Sequence, residues 1–377
     1  MHFLFKHFKM KTLKITSLLL LLLSFMACKK DNENNDAGKN NSVISVYAGA
    51  QLSMFIKADN SLWATGRNDH GQLADGTTNQ ITRPKKVMSN VSAVSSGGAH
   101  TMILKTDKTL WGVGNNSGGQ LGDNTIQPST IPKQIMTEVK AISTSINETF
   151  AIKTDGTLWA MGHNHYGELG DGTTQMIKTP KQIMTDVLAV SAEYNYALIL
   201  KTDNTLWATG INEYGKFADG STTSSKTPKF IMSGVKAINA SIDASLILKD
   251  DNTLWVVGAN PNGKLGDGTY DNISTPKQMM TNVAAMSSMA HHTLILKTDN
   301  TLWATGDNRA GQLSVGTMTK INSPQLVTDN VKSIAAGVDH SIILKTDHSV
   351  WLTGYNVYGQ LGDEADKYRF LFKELKL

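Results

Sequence analysis

The chain has 377 residues, of which 40% are hydrophobic and 18% charged, and its formal net charge is +4. This composition excludes a chain that is disordered throughout, because disorder requires lower hydrophobicity and a larger net charge. The single cysteine, Cys28, excludes internal disulfides and cysteine-rich zinc sites.

The first 28 residues have the features of an export signal. A basic region is followed by an apolar run over residues 15–27. A run of thirteen residues is too short to span a bilayer, which needs about 20 apolar residues, but it suits a signal peptide. The basic residues are Lys6, Lys9, Lys11 and Lys14.

The end of this run resembles a bacterial lipoprotein signal, because the small residue Ala27 precedes Cys28. Phe25 departs from the leucine that is usual in such signals. The resemblance implies cleavage before Cys28, lipidation of Cys28, and a lipoprotein of the outer membrane or cell surface that meets the membrane only through its lipid. The alternative is an ordinary cleavable signal that happens to end in cysteine.

Residues 29–42 contain almost no apolar side chains and are predicted to form a flexible tether. Their acidic residues Asp31, Glu33 and Asp36 are similar to surface-export signals of Bacteroidetes-type lipoproteins, although a plain tether would look nearly the same.

The positive charge lies in the signal. Without its four lysines the chain keeps 32 basic residues, which equals its 32 acidic residues. A net charge of zero argues against nucleic acid as a partner.

Residues 43–377 form seven repeats, and each tryptophan lies 48 residues from the next. The tryptophans are Trp63, Trp111, Trp159, Trp207, Trp255, Trp303 and Trp351. The repeats begin at Val43, Val91, Val139, Val187, Val235, Val283 and Val331, and the last repeat is one residue shorter than the others. A repeat of this length points to a solenoid, propeller or array.

Each repeat is predicted to contain four short strands, a to d. In the fourth repeat they cover residues 187–192, 196–201, 205–210 and 228–232. The runs are short, rich in β-branched residues and separated by Gly, Asp and Asn. We therefore predict an all-β fold, a seven-bladed β-propeller of four-stranded antiparallel blades, in which the tryptophans pack between blades as structural core. The sequence does not indicate how the ring closes.

The segments LWATGRNDHGQLADGTT (62–78) and LWAMGHNHYGELGDGTT (158–174) resemble the regulator-of-chromosome-condensation (RCC1) repeat, with its G-x-N-x-x-G-Q-L-G core. The resemblance covers residues 43–377 and implies a seven-bladed propeller. It also implies a structural role for His292, which shares its repeat position with His100 and His340. Members of this family include a guanine-nucleotide exchange factor on chromatin and a secreted bacterial β-lactamase inhibitor.

The loops between strands a and b and between strands c and d differ from repeat to repeat, whereas the b–c and d–a loops are nearly constant. In an antiparallel blade the two variable loops lie on one face, which we predict to be the binding face. The third and fourth repeats carry several tyrosines on this face, and tyrosine is typical of interfaces. We therefore predict the main contact patch there. This patch contains His163, His165, Tyr166, Glu193, Tyr194, Tyr196, Glu213 and Tyr214. The alternative is that these tyrosines pack between blades.

Signatures of catalysis and cofactor binding are scarce. There is no P-loop, no G-x-S-x-G and no dinucleotide fingerprint. The pair His163 and His165 lacks a nearby third ligand in the sequence, so no metal site is predicted. We expect no cofactor and no catalytic residue; an envelope enzyme would have to use carboxylates of the a–b loops, namely Glu148, Glu193, Asp243 and Asp339.

The sequence favours an exported, monomeric, non-enzymatic scaffold that binds a protein. A carbohydrate-binding surface protein is the main alternative, and a β-lactamase-inhibitor-like protein is a further one. Nucleotide exchange is not expected, because repeats without insertions leave no room for an additional loop element.

Overall fold

A computed structural model of the protein describes residues 41–364 and 367–377. The predicted signal, Cys28 and the tether up to residue 40 lie outside the described residues. Within the described part, no helix has the length and apolar character of a membrane span.

The described chain folds into seven four-stranded antiparallel sheets, which we call blades 1 to 7. In each blade the strands are ordered a-b-c-d as in the sequence. The a strands are β1 (Val43–Ala48), β5 (Val91–Ser96), β9 (Val139–Thr144), β13 (Val187–Glu193), β17 (Val235–Ser241), β21 (Val283–Ser288) and β25 (Val331–Ala336). The b strands are β2 (Leu52–Lys57), β6 (His100–Lys105), β10 (Glu148–Lys153), β14 (Tyr196–Lys201), β18 (Ala244–Lys249), β22 (His292–Lys297) and β26 (His340–Lys345).

The c and d strands complete each blade. The c strands are β3 (Leu62–Gly66), β7 (Leu110–Gly114), β11 (Leu158–Gly162), β15 (Leu206–Gly210), β19 (Leu254–Gly258), β23 (Leu302–Gly306) and β27 (Val350–Tyr355). The d strands are β4 (Ile81–Met88), β8 (Ser129–Met136), β12 (Ile177–Met184), β16 (Ser225–Met232), β20 (Ile273–Met280), β24 (Ile321–Thr328) and β28 (Tyr368–Leu375). A short 3₁₀ turn covers Glu213–Gly215.

The four predicted strands of the fourth repeat are confirmed, although strand a ends one residue later, at Glu193, and strand c begins one residue later, at Leu206. Strand d differs most. Strand d begins at Ser225, three residues before Pro228, whereas the sequence placed its start at the proline. Proline lacks an N–H group and is tolerated on an edge strand, where no neighbour needs that donor. Strand d is the outer edge of the blade, so the proline interrupts no ladder.

The a strands surround the central axis and contact one another from blade to blade. A polar side chain of one a strand accepts a hydrogen bond from the backbone of the next. Ser191 Oγ accepts from Ala240 N at 2.8 Å, and Ser143 Oγ accepts from Ala192 N at 3.1 Å. Small residues occupy the Ala192 position in every repeat and permit this approach.

The hydrophobic core is divided into seven clusters, each at a junction between neighbouring blades. Each tryptophan packs against the cluster that its blade shares with the preceding one, which confirms the predicted position between blades. The rings are only partly buried. In Trp159 the indole Nε1 donates to Thr157 Oγ1 at 2.9 Å, and Lys153 Nζ lies 5.4 Å from the ring centroid.

The ring closes by side-to-side packing of blade 7 on blade 1 and without an exchanged strand. All four strands of blade 7 come from the last repeat. A shared core cluster contains Phe55 from blade 1 and Leu352 from blade 7. Ser53 Oγ also donates to the Gln360 carbonyl at 2.6 Å across this junction.

Candidate functional site on the a–b/c–d face

The a–b and c–d loops lie on the same face of the ring and contact each other between blades. Gln120 Nε2 in a c–d loop donates to Asn147 Oδ1 in the next a–b loop at 3.2 Å. Lys216 Nζ donates to Asp243 Oδ1 at 3.0 Å in the same way between blades 4 and 5. The variable loops therefore form one surface, which we call the a–b/c–d face.

A buried asparagine fixes the course of each c–d loop. Asn164 Nδ2 donates to Asp171 Oδ1 at 2.9 Å, and Asn164 Oδ1 accepts from Leu169 N at 3.0 Å. The equivalent asparagines are buried in every blade; they are Asn68, Asn116, Asn212, Asn260, Asn308 and Asn356. The loops thus have a constant base, on which variable residues are displayed.

At three of the seven junctions, neighbouring blades are joined below this face by a polar contact that we call the latch. In the latch between blades 2 and 3, His100 Nε2 lies 3.0 Å from Thr149 Oγ1, which donates to the Gln120 carbonyl at 2.8 Å. His292 with Ser341, and His340 with Ser53, repeat the arrangement. This agrees with the structural role implied by the family resemblance.

The latch determines the protonation of its histidine. Because the single hydroxyl proton of Thr149 is donated to a carbonyl, the His100 Nε2–H must be the donor toward Thr149. Burial lowers the pKa of His100 to about 4 and that of His292 to about 3. The latch histidines are therefore neutral at physiological pH.

The junction between blades 3 and 4 lacks this latch. Glu148 occupies the histidine position, and Ala197 occupies the position of the hydroxyl residue. Glu168 replaces the glutamine that is present as Gln72, Gln120, Gln312 and Gln360 in other blades. Both glutamates are buried, with 2% and 1% of their surface exposed.

These two glutamates converge on His163. His163 Nδ1 lies 3.0 Å from Glu168 Oε1 and 3.9 Å from Glu148 Oε1. Burial raises the pKa of Glu148 to about 7, and the charge of Glu168 adds to the rise. We call these three residues the Glu–His cluster.

Further charged side chains extend from this cluster around the face. Glu193 of blade 4 is buried, and burial raises its pKa to about 8, with Glu148 adding to the rise. Lys264 Nζ donates to the Ala290 carbonyl at 2.9 Å, and burial lowers its pKa to about 7. Lys216 and Lys264 stand where blades 1, 2, 6 and 7 have glutamine, so blades 3 to 5 all carry a buried ionisable side chain at this position.

The structure divides the predicted patch into exposed and buried residues. Tyr166, Tyr194 and Tyr214 are 48%, 43% and 45% exposed on adjacent blades. Glu213 and His165 are also exposed, and His163 is partly exposed.

Two members of the predicted patch are not surface residues. Tyr196 is 1% exposed and Glu193 is 5% exposed, so neither side chain can offer a partner a substantial contact. The Tyr196 hydroxyl donates to the Ala244 carbonyl at 2.5 Å in the junction of blades 4 and 5. For Tyr196, the alternative of packing between blades is the correct one.

Two exposed tyrosines have an unfavourable backbone conformation. Tyr194 has φ of 35° and Tyr214 has φ of 61°. Positive φ is uncommon for bulky residues and costs on the order of 1–2 kcal/mol. Strain of this kind often accompanies a functional loop.

The RCC1-like domain model matches residues 24–287, which is more than half of the chain. RCC1 repeat models match residues 299–344 and 331–360. The chain belongs to the RCC1-like domain family. No curated protein sequence gives a significant match.

Solved structures support the fold of this RCC1-like propeller. Prp20p from Saccharomyces cerevisiae is similar at 18% identity and a TM-score of 0.76, over 92% of this chain and 90% of that one. Human WBSCR16 is similar at 21% identity and a TM-score of 0.72, over 81% of this chain and 88% of that one. At these identities the likeness establishes the shared fold alone.

Glu168, Lys216 and Lys264 are residues of this face that the sequence did not predict. The signal was present, because all three occupy the glutamine position of the RCC1-like repeat. The lack of a third ligand beside His163 and His165 argued against a metal site, yet the fold brings two glutamates to His163.

Proposed function

We propose that this protein is an exported, lipid-anchored scaffold that binds a protein partner through the a–b/c–d face of blades 3 and 4. The observation that carries the proposal is the group of three exposed tyrosines, two of them in strained conformations. Other blades form the same loops without tyrosine at the Tyr194 position, so the fold does not require it.

A protein partner fits the chemistry of this patch. Tyrosine offers a large and rigid contact area with a polar end, and tyrosines are enriched among residues that dominate binding. The Prp20p structure was described together with its binding to Gsp1p and histones, and yeast RCC1 (Prp20) was solved bound to Kap60. A propeller of this shape is therefore compatible with protein recognition.

Paired variants test the binding face. Affinity capture from cell-envelope extract should recover a specific partner with the wild type and lose it with Tyr194→Ala/Tyr214→Ala. Tyr270→Ala is the matched control, because Tyr270 is 47% exposed in a c–d loop outside the patch. Equal capture by both variants would contradict the proposed face, and binding on a glycan array would favour the carbohydrate alternative.

Export and anchoring rest on the sequence of residues 1–28. Cys28→Ala should move the protein from the membrane fraction to the soluble fraction and abolish labelling with radioactive palmitate. Membrane association that survives this substitution would show that Cys28 is not the anchor.

A further inference from the structure

The Glu–His cluster is built differently from the same place in every other blade. Blade 2 has His100, Asn115 and Gln120 at the positions of Glu148, His163 and Glu168, and there the latch is intact. The junction of blades 3 and 4 lacks the latch and has two carboxylates and an imidazole in its place.

Burial makes this arrangement costly without a cation. Glu148 and Glu168 are at least 98% buried, and a buried charge is tolerated when it is paired or coordinates a metal. Among residues 41–364 and 367–377, no lysine or arginine forms an ion pair with either glutamate. In their ionised forms, the two carboxylates together carry the charge that a divalent cation neutralises.

The oxygen and nitrogen atoms are already close to ligand positions. One atom each of Glu148, His163 and Glu168 lie within 4.8 Å of one another. Ligands of a tetrahedral zinc ion at about 2.0–2.2 Å from the metal are roughly 3.3 Å apart. The 3.0 Å and 3.9 Å separations from His163 Nδ1 bracket that value.

One ligand atom has no hydrogen-bond donor. The Asn147 backbone donates to Glu148 Oε2 at 3.3 Å, and Ser145 Oγ donates to the same oxygen. Within the described part of the chain, Glu148 Oε1 accepts no hydrogen bond and faces His163. The glutamate that carries this oxygen is 2% exposed.

We propose that Glu148, His163 and Glu168 bind one divalent transition-metal ion, with Zn²⁺ as the reference ion. Carboxylate oxygen and imidazole nitrogen are standard zinc ligands. The Ser145 and Asn147 contacts orient Glu148, and the Tyr166 backbone orients Glu168 by donating to its Oε2 at 2.7 Å. His163 is 25% exposed, which gives the ion a route from the a–b/c–d face.

The bound ion would occupy a junction that has no latch. Because it would bind only the folded protein, it should raise the unfolding temperature. This inference does not depend on the proposed protein partner.

The test is a titration of the purified metal-free protein with ZnCl₂ alone, followed by calorimetry and thermal unfolding. We expect one Zn²⁺ per chain and a higher unfolding temperature. Glu168→Gln, Glu148→Gln and His163→Asn should each weaken binding at least about tenfold. Glu168→Gln installs the residue of four other blades, so its folding, checked by circular dichroism, should be preserved.

The control is His165→Ala, because His165 is exposed and its ring contacts the His163 ring edge to face, with centroids 4.1 Å apart. It should retain Zn²⁺ affinity. The proposal is overturned if the wild type binds no Zn²⁺, or if folded Glu168→Gln and Glu148→Gln bind it as tightly as the wild type. Loss of binding only in the two histidine variants would also overturn it, by indicating a surface histidine pair.

Discussion

Tyr194 and Tyr196 are two residues apart and have different roles. Tyr194 is 43% exposed at the a–b loop, whereas Tyr196 begins strand β14 and is fully enclosed. The Tyr196 hydroxyl contacts Ala244 O and Ser245 Oγ at 2.5 Å and 3.1 Å. A double substitution of both tyrosines would therefore combine a surface effect with a stability effect.

Tyr196→Phe isolates the buried hydroxyl. The ring remains, but the Ala244 carbonyl loses a donor in the junction of blades 4 and 5. We expect the free energy of unfolding to fall by about 1–3 kcal/mol in denaturant titrations. Tyr194→Phe is the control and should change it by less than about 0.5 kcal/mol; equal stability of the two variants would refute the structural role of Tyr196.

Tyr214→Gly tests the backbone strain. Glycine adopts positive φ without steric cost, so this variant should be more stable than the wild type by up to about 1 kcal/mol. Tyr166 has the same repeat position in blade 3 but is not among the residues with positive φ. Tyr166→Gly should therefore give no gain in thermal unfolding, and a gain of equal size would show that strain is not the cause.

At the level of strands and loops, repetition made the fold predictable. The tryptophan spacing and the turns recur in all repeats, so the strands assigned in one repeat could be assigned in the other six. The sequence predicts too short a strand d because proline usually begins a strand, whereas the edge strand β16 holds Pro228 in its interior.

The Glu–His cluster was harder to predict because Glu148 and Glu168 lie in different parts of the repeat. Their approach depends on how strand b and the c–d loop meet within blade 3. Aligning the seven repeats would have marked the exchange of glutamine for Glu168, but only coordinates show that it faces His163. The exposure of Tyr194 and the burial of Tyr196 also required the structure.

The latch predicts a pH dependence of stability. The pKa of His100 is lowered by burial to about 4, so its contribution to stability is present above pH 6.5 and is lost as the pH falls toward about 4. Glu148 and Glu193 have raised pKa values and act in the opposite direction, since their contribution is lost as the pH rises through about 7 and 8. The contribution of His100 must therefore be measured as the difference in unfolding free energy between the wild type and a His100 variant.

His100→Gln provides this difference. Between pH 6.5 and about 4, the unfolding free energy of the wild type should fall relative to this variant by about 1.4 kcal/mol per pH unit. His165→Gln, at an exposed position, should follow the wild type. Parallel curves for wild type and His100→Gln in urea titrations would contradict the neutral, buried latch.

At the scale of the whole molecule, the ring is held by seven junctions of similar construction. Each junction has its own core cluster, and the junction of blades 7 and 1 uses the same kind of contacts as the others. Thr65 Oγ1 of blade 1 donates to the Gly359 carbonyl of blade 7 at 2.8 Å, as Thr209 Oγ1 does to Gly167 between blades 4 and 3. No junction of the described ring depends on a strand from a distant part of the chain.

This architecture predicts tolerance to circular permutation. Val43 and Leu377 belong to one core cluster, so a short linker can join residue 377 to residue 43, and a new start can be made at Val91. Every blade then remains a continuous segment, and we expect one cooperative thermal transition within a few degrees of the wild type.

Deleting residues 331–377 is the contrasting variant, because it exposes the apolar sides of blades 1 and 6 and should cause aggregation in size-exclusion chromatography. A permutant that unfolds in separate steps would mean that the link between blades 1 and 2 has a special role, whereas a stable monomer without blade 7 would mean that closure contributes little.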